Sequence, residues 1–139
     1  MINAYINTPV VVAAGETIPF ASSRARSNSS CACNGGWLLH QDGSGIFTIN
    51  KPGRYLVQFG ATVTSTVAGP VSVALRLNGE NIPGTVMGET IAAADDEANI
   101  SRAIIVEVPC YTSFVVAAAN VGEDEITINS ASMLIARLS

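Results

Sequence analysis

Three cysteines and a single histidine are the side chains of this chain best suited to hold a metal or attack a substrate. Cys31, Cys33 and His40 are close in sequence, and with Cys110 they would make a zinc site of three sulfurs and one nitrogen. Common zinc modules are built on C-x2-C pairs, a spacing that Cys31 and Cys33 do not match. The same types allow a thiol nucleophile at Cys33, with His40 as its base and Asp42 orienting the ring, provided their loop is rigid. Both cysteines instead fall in ASSRARSNSSCACNG, a run of small and polar residues, and Cys110 follows Pro109 as a turn-packing residue would. An odd number of cysteines implies no disulfide framework, a bridge from Cys110 to Cys31 or Cys33 being the alternative to free thiols. There is no Ser-His-Asp elbow, phosphate loop or paired-carboxylate cleft. The expectation is a protein with no catalytic residue, no metal and no cofactor.

Other candidates bind rather than react. Asp95-Asp96-Glu97 and Glu123-Asp124-Glu125 lie in turns but lack the spaced ligands of a calcium loop, so they read as solvated charge. Arg24 and Arg26 could meet an acidic partner or a glycan, and Trp37 could stack on a sugar ring or pack in a core or interface. Asn28-Ser29-Ser30 and Asn99-Ile100-Ser101 match the glycosylation triplet, which carries weight only in an exported protein.

The elements that must position these residues are strands. In the run from Pro52 to Gly84, Tyr55, Val57, Phe59, Ala61 and Val63 fall on one side of an extended chain and Arg54, Gln58, Thr62 and Thr64 on the other. Val71, Val73, Leu75 and Leu77 share the next such face, and Asn78-Gly79 supplies a tight hairpin. No helical period is sustained, and Gly, Pro, Asn and Ser punctuate the chain at strand spacing. Strands are predicted at 4–7, 10–13, 36–39, 45–49, 53–64, 70–77, 80–82, 85–92, 99–108, 113–120, 127–129 and 131–138, some ten in the finished sheets. The segments 21–35 and 93–98 read as loops that carry no core.

A single domain spanning 1–139 is large enough for one core without disulfides. Charged residues are only 13% of the chain, against about 25% in an ordinary soluble domain. Ala103-Ile104-Ile105-Val106 and Phe114 to Ala119 are apolar on both faces of a strand. A sheet with no helices to cover its second face finds its cover in another copy of itself. Contact between copies is therefore expected at Ile105, Phe114, Val116, Ala118, Leu134 and Leu138. A net charge of −4, with seven Lys and Arg set singly, offers no patch for nucleic acid, and no apolar run is long enough for a membrane span. The first residues lack the basic and apolar regions of a signal peptide, so cytoplasmic synthesis is expected.

Four runs, in order, carry a family resemblance: Val12 to Phe20 (VAAGETIPF), Ile46 to Phe59 (IFTINKPGRYLVQF), Val73 to Gly84 (VALRLNGENIPG) and Ser132 to Leu138 (SMLIARL). Together they resemble the jelly roll of tumour necrosis factor and the complement globular heads. The resemblance is strongest to its bacterial and phage branch, the C-terminal domain of spore collagen-like glycoproteins and similar virion modules. It implies a ten-stranded antiparallel sandwich forming a compact homotrimer, with its inner sheets against the three-fold axis. Without a collagen stalk, the expected role is a non-enzymatic structural or adhesion trimer on a phage virion, as a decoration, fibre or tail-associated protein. A spore-coat protein, or a carbohydrate-binding module using Arg24, Arg26 and Trp37, is the alternative.

Overall fold

The structure, a computed structural model, describes residues 1–24 and 38–138. Within them the chain forms β1 (Ile2–Ile6), β2 (Val10–Val12), β3 (Ser22–Arg24), β4 (Leu38–Leu39), β5 (Ile46–Ile49) and β6 (Gly53–Thr64). It continues with β7 (Gly69–Leu77), β8 (Glu80–Asn81), β9 (Met87–Ile91), β10 (Ala98–Val108), β11 (Phe114–Asn120) and β12 (Ile126–Arg137). The described residues contain no helix. One sheet runs β10-β6-β12-β1-β3 with β2 also on β12, and the other runs β4-β5-β11-β7-β8 with β9 also on β7. Every pairing is antiparallel. The two sheets are called the first and the second below.

The long alternating strands form as their periodicity requires. Tyr55, Val57, Phe59 and Val63 of β6 are fully buried, and Val73 and Leu75 of β7 meet them from the second sheet's side of one continuous core. Phe20 joins the layers, its ring edge-on to Phe47 at 5.6 Å and to Phe59 at 6.4 Å between centroids. Asn78 and Gly79 both take positive φ, 53° and 87°, and pin β7 to β8 with Leu77 opposite Glu80. At the far end of β11 the buried Asn120 is fully satisfied. Its Nδ2 donates to the carbonyls of Val12 and Asp124, and its Oδ1 accepts from the Gly122 amide.

Among the described residues twelve strands stand where about ten were expected, and two differences have clear causes. Ser22–Arg24 falls in a segment read as loop, because it has no apolar alternation. It is an edge strand recruited by the open hydrogen-bonding edge of β1, with Asn3 opposite Arg24 and Tyr5 opposite Ser22. The residues 127–138, read as two strands, form one. The register of β12 on β6 shifts between Ile128 and Ser130, so that the buried series Ile126, Ile128 resumes at Ala131, Met133, Ile135 with opposite parity. A change of parity reads in sequence as a break, and the bulge absorbs it.

Val116 and Ala118 are also corrected. Both are fully buried in the protomer's own core, so neither can face another copy. Phe114 is half-buried and packs against the same core. The double apolarity of β11 had made the two faces indistinguishable by pattern.

Removing the Phe59 ring leaves a hole against Phe20. Phe59→Ala is expected to cost about 3–5 kcal/mol of unfolding free energy in chemical denaturation.

Candidate functional site

A sandwich of two sheets has two outer faces, and they are finished differently here. On the second sheet, Ala74 and Ala119 are directly opposed and both fully buried, and Ala117, opposite Arg76, is buried as well. The short side chains leave little to cover, and the Arg76 guanidinium beside them is tied to Asn81 Oδ1 at 3.0 Å and to the Gly15 carbonyl at 3.5 Å. Beside them Ile46, opposite Ala117, is 47% exposed, and Leu39, opposite Thr48, is 53% exposed, so this face also shows apolar surface toward the β4 edge.

The outer face of the first sheet is set row by row by its register. Ile105, Leu56 and Ala136 form one row across β10, β6 and β12. Ala103, Gln58, Leu134 and Asn3 form the next. Ser101, Gly60, Ser132 and Tyr5 form the third, followed by Asn99, Thr62 and Ser130. The face thus carries its apolar side chains in the half near the Gly53 end of β6, where they are edged by the exposed Arg54–Glu107 row, and polar side chains in the half near its Thr64 end. Ile105 is 64% exposed and Leu138, just beyond β12, is 52% exposed. Of the six residues expected to meet another copy, Ile105, Leu134 and Leu138 lie on or beside this face. Leu56, Ala103 and Ala136 belong with them and were missed. The signal for Leu56 was present: it is the one aliphatic residue in the polar series Arg54, Gln58, Thr62, Thr64.

The polar half is concave. A groove of about 560 Å³ is floored by Gly60 and walled by residues of β1, β3, β10 and β12, including Tyr5, Arg24, Ser101 and Ser132. The Arg24 guanidinium lies 4.2 Å from the centre of the Tyr5 ring. Of the three residues expected to meet a glycan or acidic partner, Arg24 is therefore in a groove, whereas Arg26 and Trp37 lie outside the described residues.

The reactive types are not brought together among the described residues. His40 stacks on Phe47, with 4.0 Å between ring centroids and 7° between planes, and its Nδ1 is 3.0 Å from the Ile46 carbonyl. Cys110 is an exposed free thiol at the β10–β11 turn, and Cys31 and Cys33 lie outside the described residues. No three His, Cys, Asp or Glu among the described residues are grouped to hold a metal. Asp95 to Glu97 and Glu123 to Glu125 are exposed in the turns before β10 and β12. The Arg54–Glu107 pair at 3.9 Å is exposed at both ends and contributes little.

One titrating group is tied to the sheet itself. Tyr55 is buried, and its hydroxyl donates to the Lys51 carbonyl at 2.7 Å. Burial pushes its pKa above 10.0, partly offset by the positive charge of Arg137.

With this geometry in place, comparison with solved structures shows the fold. The chain is similar to the globular domain of zebrafish complement 1qA protein, with 13% identity, a TM-score of 0.66, and 99% of this chain and 98% of that one covered. It is similar to the Eiger tumour necrosis factor of S. frugiperda at 12% identity and a TM-score of 0.68, covering 99% and 92% of the two chains. Rabbit GITRL matches at 16% identity and a TM-score of 0.54, covering 100% and 95%. No family model matches the chain, and no curated protein matches it in sequence. The fold is the all-β, antiparallel jelly roll of the tumour necrosis factor and complement-head type.

Because the neutral form of Tyr55 is favoured in the folded state, its contribution is complete below pH 10.0 and is lost as pH rises through the higher folded value. Thermal melts should show Tm falling above that pH in the native chain, and a shallower fall in Tyr55→Phe.

Proposed function

We propose that this chain is a non-enzymatic structural or adhesion module that works as a homotrimer, its copies meeting through the apolar half of the first sheet's outer face. The observation that carries the reading is the outward Ile105–Leu56–Ala136 row, with Ile105 64% exposed and the other two half-buried, on a sheet that no helix among the described residues covers. The buried alanines Ala74, Ala117 and Ala119 occupy the middle of the second sheet's outer face, with apolar exposure there confined to Leu39 and Ile46 at one edge, and the three-fold arrangement is what the family resemblance implies. The low share of charged residues supports the same conclusion. The reactive residues that are described stand apart from one another, in keeping with a binding or structural role.

The particle-surface role rests on the resemblance of the four sequence runs to the bacterial and phage branch. A phage virion is the first reading, as a decoration, fibre or tail-associated protein made in the cytoplasm and released with the particle. A spore surface is the second. Other virion or spore-coat proteins are then the docking partners, and surface glycans the further ligands.

Light scattering on a size-exclusion column tests the assembly. The native chain is expected at three times its 14.4 kDa mass. Leu56→Asp and Ile105→Asp should lower the mass toward that of one chain while the protomer keeps its β-sheet circular dichroism. Val116→Asp should unfold the protomer instead, because it places a charge in the core. A native chain that runs as a monomer overturns the assembly.

A further inference from the structure

We infer that Asn78 is a site of spontaneous, irreversible modification: its side-chain amide is lost by attack of the Gly79 backbone nitrogen, and the folded β7–β8 hairpin restrains that reaction. Among the described residues Asn78 is the one asparagine followed by glycine. Glycine has no side chain to shield its nitrogen from the residue before it. The Gly79 nitrogen bonds to Asn78 Cγ, the Cγ–Nδ2 bond breaks, and the Gly79 amide proton leaves with Nδ2 as ammonia. Solvent water then opens the succinimide at either carbonyl, leaving aspartate or isoaspartate at this position. No oxidant, cofactor or second protein is required.

The turn is open to water, but its geometry opposes the attack. Asn78 and Gly79 form the two-residue loop between Leu77 and Glu80, with φ of 53° and 87°, and no atom lies within 4 Å of a Cβ built on Gly79. The Asn78 side chain is nevertheless held. Its Oδ1 accepts the Val115 N–H at 2.9 Å, and its own N–H donates to the Val115 carbonyl at 2.8 Å. These two bonds direct the amide across to β11 and keep Cγ from turning onto the Gly79 nitrogen. Release requires the hairpin to part from β11. Beyond β8 the hairpin is anchored to β7 by the Ile82 N–H, which donates to the Leu75 carbonyl at 2.8 Å. The buried Thr85 hydroxyl supports the same anchor, 3.1 Å from the Leu75 carbonyl and 2.6 Å from that of Ile82. Local opening, and not exposure, therefore sets the rate at Asn78.

The two products differ in what they do to the sheet. Aspartate keeps an oxygen for the Val115 N–H and tolerates a left-handed φ. Isoaspartate inserts a methylene into the main chain of a two-residue loop, and so breaks the pairing of Leu77 with Glu80 and of Arg76 with Asn81. The hairpin belongs to the second sheet, so its modification is independent of the proposed contact between copies.

Tryptic peptide mapping of the full chain, aged in mildly alkaline buffer with and without denaturing urea, is the test. Cleavage after Arg76 and Arg102 isolates residues 77–102, which separates Asn78 from the other Asn-Gly pair, Asn34-Gly35. Tandem mass spectrometry then distinguishes Asn78 from Asn81 and Asn99. The unfolded chain is expected to convert Asn78 faster than Asn81 and Asn99, and the folded chain to convert it at least about tenfold more slowly than the unfolded. Thr85→Val should speed conversion in the folded chain at least about threefold and leave the unfolded rate unchanged. Equal rates in the folded and unfolded chains, no conversion at Asn78 in either, or a native rate in folded Thr85→Val overturns the inference. If Thr85→Val fails to fold, sub-denaturing urea decides. Conversion in the native chain should then rise with hydrogen exchange at the Val115 amide, and a constant rate while that amide exchanges faster overturns the inference.

Discussion

The pairing of β6 with β10 on one side and β12 on the other is the constraint on which the other features depend. β6 is twelve residues long and is paired on both sides along most of its length. Its phase decides both faces of the first sheet at once. With Tyr55, Val57, Phe59 and Val63 inward, Leu56, Gln58, Gly60 and Thr62 are necessarily outward. A slip by one residue would bury Arg54 and Gln58 and expose Phe59, so the core enforces the register. That register then aligns Leu56 with Ile105 and Ala136 in one row and Gly60 with Ser101 and Ser132 in another. The bulge between Ile128 and Ser130 serves the same end, since it lets β12 bury apolar residues on both sides of a parity change.

The two sheets meet the problem of a second face in different ways. The second sheet places alanines at Ala74, Ala117 and Ala119, which are buried within one chain. The first places half-buried Leu56 and Leu134 beside the exposed Ile105, next to a polar half built from Ser, Thr, Asn and Gly. The assembly reading follows from that difference.

The fold was largely legible, since alternation from Gly53 to Thr64 and the Asn78-Gly79 turn depend on local chemistry alone. The inward face of β6 needed no tertiary information. What was not legible had a physical cause in each case. β3 is held by backbone hydrogen bonds to β1, which leave no mark on side-chain pattern. β11 is apolar at every position from Phe114 to Ala119, so its alternation could not say that Val116 and Ala118 face inward. On the face itself, Ile105, Leu134 and Leu138 could be picked from sequence as apolar residues in strands already rich in them. Leu56 was masked by polar neighbours two positions away on either side. The groove was less accessible still, because Arg24, Tyr5, Gly60 and Ser132 come from four strands that only the register brings together.

The central claim is that copies associate through the apolar half of the first sheet's outer face and not through the second sheet. An experimental structure of the assembled protein is its most direct test. The account predicts a three-fold axis with Leu56, Ile105 and Leu134 buried between protomers and Ala117 and Ala119 remote from the contact. An assembly joined through the second sheet, with Leu56 and Ile105 left in solvent, would contradict it.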